Sequence, residues 1–166
     1  MPNKFPKPKS KRARKGKNVS YMYPQLHRDV LKAVSPNIKK PWFNSRAGDE
    51  ADKKYETNVM GKFKCDNDGC SSDGWSSNRV AILIRGYSGN GYNAEVFGQR
   101  CRLCNALGTL TLDDNSYLER VAYRLNKWGG ISVKPPDHKI GQSPPHREDL
   151  CEGCKMGYCQ QGGRRI

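Results

Sequence analysis

Seven cysteines and one histidine of the 166-residue chain fall into two groups with the spacing of metal ligands. The first is Cys65-x4-Cys70 with Cys101-x2-Cys104, and the second is His146-x4-Cys151-x2-Cys154-x4-Cys159. Thiolate and imidazole are preferred ligands of zinc, and two donors separated by two to four residues can be presented by one tight turn. Four ligands per ion close a tetrahedron and leave no position for a reactive water. The expected cofactor is therefore two structural Zn2+ ions rather than a catalytic centre. Eight donors fill two such sites with none left over, which also accounts for an odd cysteine number that a closed disulfide framework would not. Spacing leaves alternatives open. Cys65 and Cys70 could pair with Cys151 and Cys154, the first four cysteines could be buried thiols or disulfides, and water or Asp149 could replace His146. His27 and His138 have no cysteine nearby and are expected to be surface or packing residues.

These donors need elements that bring them together. Arg79–Arg85 and Tyr92–Gln99 are rich in Val, Ile, Leu, Tyr and Phe and read as two strands, joined by a turn in Gly86-Tyr87-Ser88-Gly89-Asn90-Gly91. An antiparallel hairpin returns its second strand to the level where the first began. Cys65 and Cys70, just before it, would thus meet Cys101 and Cys104, just after it, in the manner of a zinc ribbon. Alternation puts Val80, Ile82 and Ile84 on one face and Ala81, Leu83 and Arg85 on the other. Downstream, Leu118, Val121, Ala122, Leu125 and Trp128 recur at helical spacing between an Asp113 or Asp114 N-cap and a Gly129-Gly130 stop. A shorter helix is expected over Pro24–Val34, ended by Pro36. Residues 35–58 read as a polar linker or loop, and 131–145 as a Pro/Gly/Lys loop. The expected fold class is α+β: a small zinc-stabilised domain with a zinc-ribbon-like antiparallel β-hairpin, one long helix and a C-terminal zinc knuckle. Residues 1–19 are expected to be a disordered basic tail, 20–54 an N-terminal helix and linker, and 55–162 the zinc-binding domain.

Composition sets the class. Only 35% of the residues are apolar and mean hydropathy is −0.89, so a purely hydrophobic core would be thin. The longest strongly apolar run, Val80-Ala81-Ile82-Leu83-Ile84, is far short of the roughly 20 residues of a membrane-spanning helix. No transmembrane segment is expected, and the basic N-terminus lacks the apolar stretch of a signal peptide. These features predict a soluble intracellular protein, cytoplasmic and/or nuclear, where clustered thiols serve as ligands rather than disulfides. Thirty Lys/Arg against sixteen Asp/Glu give a net charge of +14. Eight of the basic residues lie within residues 1–17, which carry no acid, so the remainder holds 22 against 16, or +6. Such an excess favours an anionic partner.

Several segments together resemble the 3CxxC-type zinc-binding family, which includes receptor-transporting proteins, zygote-arrest proteins and many fungal members, and the fungal branch most of all. They are Met60-Gly61-Lys62-Phe63-Lys64-Cys65, Gly74-Trp75-Ser76-Ser77, Gly98-Gln99-Arg100-Cys101-Arg102-Leu103-Cys104, Tyr117–Leu125 and Cys151-Glu152-Gly153-Cys154-Lys155-Met156-Gly157-Tyr158-Cys159. One departure is the first pair, Cys65-x4-Cys70, which is wider than the family's name implies. The resemblance implies zinc ligation at all eight positions. It also implies either recognition of single-stranded RNA or, as an alternative, a protein adaptor that escorts membrane proteins.

The residues themselves favour the first. Arg79, Arg85, Arg100 and Arg102 lie on or beside the hairpin with Tyr87, Tyr92 and Phe97 interleaved, and Arg120 and Arg124 lie off the apolar stripe of the long helix. Cations with aromatic faces are the means by which proteins hold phosphates and unstacked bases. The plainer expectation for Tyr92 and Phe97 is that both pack the hairpin against the helix, with Trp75 and Trp128 in the core. The acidic Asp49, Glu50 and Asp52 and the Trp42-Phe43 pair suit a protein partner better. Nothing suggests an enzyme or a small-molecule substrate: there is no open metal position, no Ser-His-Asp set and no phosphate-binding glycine loop.

Overall fold

In the computed structural model, which describes residues 19–136 and 146–159, regular elements run in the order β1 (Ser20–Tyr21), α1 (His27–Ala33), β2 (Trp42–Phe43), β3 (Lys53–Lys64), β4 (Trp75–Tyr87), β5 (Gly91–Phe97), β6 (Thr109–Leu112), α2 (Asp114–Trp128) and α3 (Glu152–Lys155). The segment expected as a disordered tail lies outside the described residues except for Val19, and so does the 137–145 part of the expected Pro/Gly/Lys loop. Five strands form a sheet in the order β1-β5-β4-β3-β6, and β2 pairs with β5 in parallel. The other pairings are antiparallel.

β4 and β5 form a hairpin in which Ile82 faces Val96 and Tyr87 faces Gly91. Gly89 closes its turn at φ 69°, a left-handed conformation that favours glycine. β3 corrects the expectation of a linker over 35–58. It is a 12-residue strand that pairs with β4 from Lys53↔Gly86 to Phe63↔Trp75. Its buried residues Thr57, Val59, Gly61 and Phe63 alternate with more exposed neighbours, the period-two pattern of a strand with one covered face. The interleaved lysines, Glu56 and Asn58 make its average polar and hide that alternation. The 20–54 region is likewise integrated rather than a separate linker, because Leu26, Val30 and Val34 are buried in the main core.

The alternation along β4 divides the molecule into layers. Val80, Ile82 and Ile84 meet Val59, Tyr92, Val96, Tyr117, Val121 and Leu125, so α1 and α2 cover this face. Ala81 and Leu83 point the other way, onto Phe97, Cys151 and Cys159. Phe97 therefore corrects a second expectation. It stands five residues from Tyr92 on the same strand, an odd separation that puts the two on opposite faces. Tyr92 packs toward the helices and Phe97 toward the C-terminal cysteines. α2 begins at Asp113, whose carboxylate accepts from the Ser116 amide at 3.1 Å, and ends at Gly129. Among the described residues, no helix is long and apolar enough to cross a membrane.

Candidate metal centres

The loop between β3 and β4 carries the first pair of thiols. Its turn closes where the Cys70 amide donates to the Asn67 carbonyl at 2.9 Å, which lets the wider x4 spacing bring both sulfurs to one side. The second pair follows β5. Between Cys101 and Cys104 the chain reverses tightly: the Asn105 amide donates to Cys101 at 2.7 Å and the Cys101 amide to Ala106 at 2.8 Å. Asn105 itself takes a left-handed φ of 61°. Because β4 and β5 are antiparallel, the two turns meet at the open end of their hairpin. Cys65 Sγ lies 3.5 Å from Cys104 Sγ, and Cys70 Sγ lies 3.8 Å from Cys101 Sγ.

The second centre is built almost wholly from one short stretch. A 3-10 turn over Glu148–Leu150 leads into Cys151, which caps α3, and Cys154 sits within that helix. Gly157, at φ 79°, then turns the chain back, and the Tyr158 amide donates to the Gly153 carbonyl at 2.8 Å. This returns Cys159 to the cluster. His146 Nε2 lies 3.2 Å from Cys154 Sγ and 3.6 Å from Cys159 Sγ.

In each group the four donor atoms all lie within 4.8 Å of one another. A tetrahedral ion with Zn–S bonds of 2.3 Å sets its sulfurs about 3.8 Å apart, and a mixed N–S edge comes to about 3.6 Å. The observed separations of 3.2–3.8 Å lie within about 0.4 Å of these edges. They are far longer than a disulfide bond of about 2.05 Å, and none of the seven cysteines is disulfide-bonded. The interleaved partition left open by spacing is thereby excluded, because Cys65 and Cys70 gather with Cys101 and Cys104.

Electrostatics makes the same case. At Cys101, burial opposes ionisation but the amides of Cys104 and Leu103 donate to the sulfur and win, bringing its pKa down to about 6. Cys65 also receives an amide bond, from Asn67, yet desolvation and three neighbouring thiols push it up to about 12. In the second centre the Cys159 thiol and burial raise Cys151, and burial with Cys159 pushes Cys154 up to about 12. Sulfurs this crowded cannot all ionise around an empty point, and a divalent cation among them removes the conflict. Amide donors at 3.4 Å already point at two of the sulfurs, from Ser72 to Cys70 and from Cys154 to Cys151. The residues fit two structural zinc ions, one held by four cysteines and the other by three cysteines and His146.

One segment serves both centres. After β5 the Gly98 carbonyl accepts from the Glu152 amide at 3.0 Å, and the Arg100 amide donates to Leu150 at 2.7 Å. Arg100 Nε then pairs with Glu152 Oε1 at 2.6 Å. Cys101, a ligand of the first centre, follows at once.

The cationic candidates separate into two sets. Arg79, Arg100 and Arg102 line a cleft of about 610 Å³ that also touches Cys101 and His146. Arg147, not singled out in the sequence, joins them there, as do Trp75 and Gln99. Its only sequence signal was proximity to His146. The others are turned elsewhere. Arg85 is 7% exposed and bound to Glu95 at 2.7 Å and Asn93 at 3.3 Å, which removes it from any phosphate. Tyr92 is fully buried, its hydroxyl 2.7 Å from His27 Nδ1, and cannot stack on a base. Tyr87 accepts from Asn93 and donates to the Asp49 carbonyl at the far end of the hairpin. Arg124 stacks on Tyr55, 3.3 Å from the ring centroid, and Arg120 is half-buried on the same helix. The acidic stretch is also internally engaged: Asp49 accepts from Asn44 and Asp52 from Ser88.

A family model for the 3CxxC-type zinc-ribbon, described as a zinc-binding domain, matches residues 58–157. No curated protein and no solved structure gives a significant match. The matched stretch is well over half of the chain and contains the first cluster and all of the second except Cys159, and the chain belongs to the 3CxxC zinc-ribbon family of zinc-binding domains.

Proposed function

We propose that this protein is a non-enzymatic module in which two structural zinc ions organise a surface for single-stranded nucleic acid, RNA in the first instance. The observation that carries the reading is the convergence of Arg79, Arg100, Arg102 and Arg147 on one cleft between the metal centres. Guanidinium groups bind phosphate through two parallel hydrogen bonds, and an aromatic wall such as Trp75 suits an unstacked base. The overall charge of +14 supports the same partner by drawing a polyanion from a distance. The resemblance of its motifs to those of the zygote-arrest proteins adds weight. The escort reading keeps the exposed Trp42 but is weakened where Phe43 packs against the core and where Asp49 and Asp52 are engaged locally.

Filter binding of the zinc-loaded full chain to a single-stranded RNA, repeated across salt concentrations, tests this. Binding should weaken steadily as salt rises, with a slope of about −0.7 for each phosphate neutralised. An absence of binding at low salt would exclude the nucleic-acid reading and leave a protein partner.

A further inference from the structure

β4 has a strand on both sides over only part of its length. β3 flanks it from Trp75 to Gly86, whereas β5 pairs with it only from Ile82 to Tyr87. Past Phe97 the chain peels away to bind Val19, Leu150 and Glu152 instead. Gln99 fills the corner this opens. It accepts from Trp75 Nε1 at 3.0 Å and donates to Ser77 Oγ at 3.1 Å and to the Arg79 carbonyl at 3.3 Å. Trp75, Ser76 and Ser77 are left with no strand on that edge among the described residues, and all three line the arginine cleft.

An open strand edge offers backbone donors and acceptors to whatever lies beside it. Three residues span about 10 Å, well short of the five or six of an ordinary strand, so an added peptide strand would gain few ladder bonds. A single nucleobase, with its donors and acceptors along one edge, fits that length. The cleft volume of about 610 Å³ lies within the range of small-ligand sites, about 300–1,000 Å³. Its cations are not equivalent. Arg100 is held by Glu152 and Arg147 by Asp149 at 2.8 Å, while Arg79 and Arg102 have no carboxylate partner among the described residues. Asp73 is the one carboxylate in the lining.

We propose that this cleft is a mononucleotide subsite. Arg79 and Arg102 take the phosphate, and the open backbone edge along Trp75–Ser77, to which alternate residues turn their N–H and C=O groups, reads one unstacked base beside Trp75. The subsite deepens the nucleic-acid reading and rests on it for its biological ligand.

The test is an NMR titration of the 15N-labelled, zinc-loaded full chain with uridine 5′-monophosphate, inorganic phosphate and an extended acidic hexapeptide. The nucleotide should move the Ser76 and Ser77 amides and the Trp75 indole, while phosphate alone leaves the serine amides in place. In a folded Arg79→Ala/Arg102→Ala variant that retains two zinc ions, nucleotide binding should weaken at least about tenfold, as expected on removing two charged hydrogen-bonding groups. The same variant should reduce the salt slope for a ten-nucleotide RNA by about 0.7, that is, one phosphate. If the variant fails to fold, the wild-type titration decides. The subsite is overturned if the nucleotide leaves these amides unmoved, if phosphate reproduces every shift, or if only the peptide moves them. RNA binding with a silent cleft sinks the subsite and keeps the nucleic-acid reading, whereas nucleotide binding without RNA binding does the reverse.

Discussion

Gly153 stands so close to Ala81 that a Cβ on the glycine would fall well inside van der Waals contact with the alanine methyl, and within 3.4 Å of the Phe97 Cβ. The knuckle of the second metal centre is thus pressed directly onto the sheet, and only a hydrogen at position 153 permits it. Gly153→Ala should cost about 1–3 kcal/mol through overpacking, measured by denaturant unfolding of the zinc-saturated protein. Adding Ala81→Gly removes the opposing methyl and should recover part of that loss. A neutral single substitution would mean that the knuckle does not sit on this face.

Metal removal tests the larger frame. Metal analysis should return two zinc ions per chain, and a strong chelator should abolish the dispersed NMR spectrum, since structural zinc contributes on the order of 10 kcal/mol to small domains. Cys101→Ser should lose the first zinc and unfold the open end of the hairpin. It should also weaken the second site, because Gly98–Arg100 is hydrogen-bonded to Leu150 and Glu152. His146→Ala should lower the stoichiometry toward one while sparing the four-cysteine centre. Native dispersion and full metal content in Cys101→Ser would contradict the assignment.

Two arginines make internal controls for the nucleic-acid surface. Arg85 and Glu95 are a nearly buried pair, with side chains 9% and 14% exposed. Arg85→Ala leaves that carboxylate unpaired and should cost about 3–5 kcal/mol of stability. Arg124→Ala removes the cation from the Tyr55 ring and should cost about 0.5–2 kcal/mol. Neither should alter RNA affinity while the protein remains folded. A fall in affinity for either variant would place the RNA surface elsewhere than the cleft.

His27 supplies a pH dependence whose sign can be worked out. Burial lowers its pKa below the ordinary 6.5, and burial also raises Tyr92, so a protonated phenol shares a hydrogen bond with Nδ1 of a neutral imidazole. Since the folded pKa is the lower one, the unfolded chain takes up the proton first as pH falls. Stability from this pair is complete above about pH 6.5, declines as pH drops through that value, and levels off below the folded pKa. An NMR titration should place the His27 midpoint below 6.5, and His27→Gln should remove its share of the acid-side slope. A midpoint at or above 6.5 would show the imidazole to be solvated or paired with an anion.

Much of this was written locally in the chain. Ligand identity was legible because a metal knuckle is a matter of a few residues: Cys101-x2-Cys104 and Cys151-x2-Cys154 carry their chemistry in their spacing. The two faces of β4 were legible for the same reason, since alternation is a property of the strand itself. β3 was written there too, in Tyr55, Thr57, Val59, Gly61 and Phe63, but its polar partners on the other face outweigh it in any averaged view.

What only the tertiary structure decided is which groups share a space. Arg85 and Arg79 look alike in the sequence, yet one is locked against Glu95 and the other lines a cleft, because β5 stops pairing with β4 between them. The same divergence brings Arg147, nearly fifty residues from Arg100, into that cleft, and separates the eight ligands into two sets. Spacing determines which atoms can grip a metal, whereas the neighbours of an exposed cation depend on contacts between segments far apart in the chain.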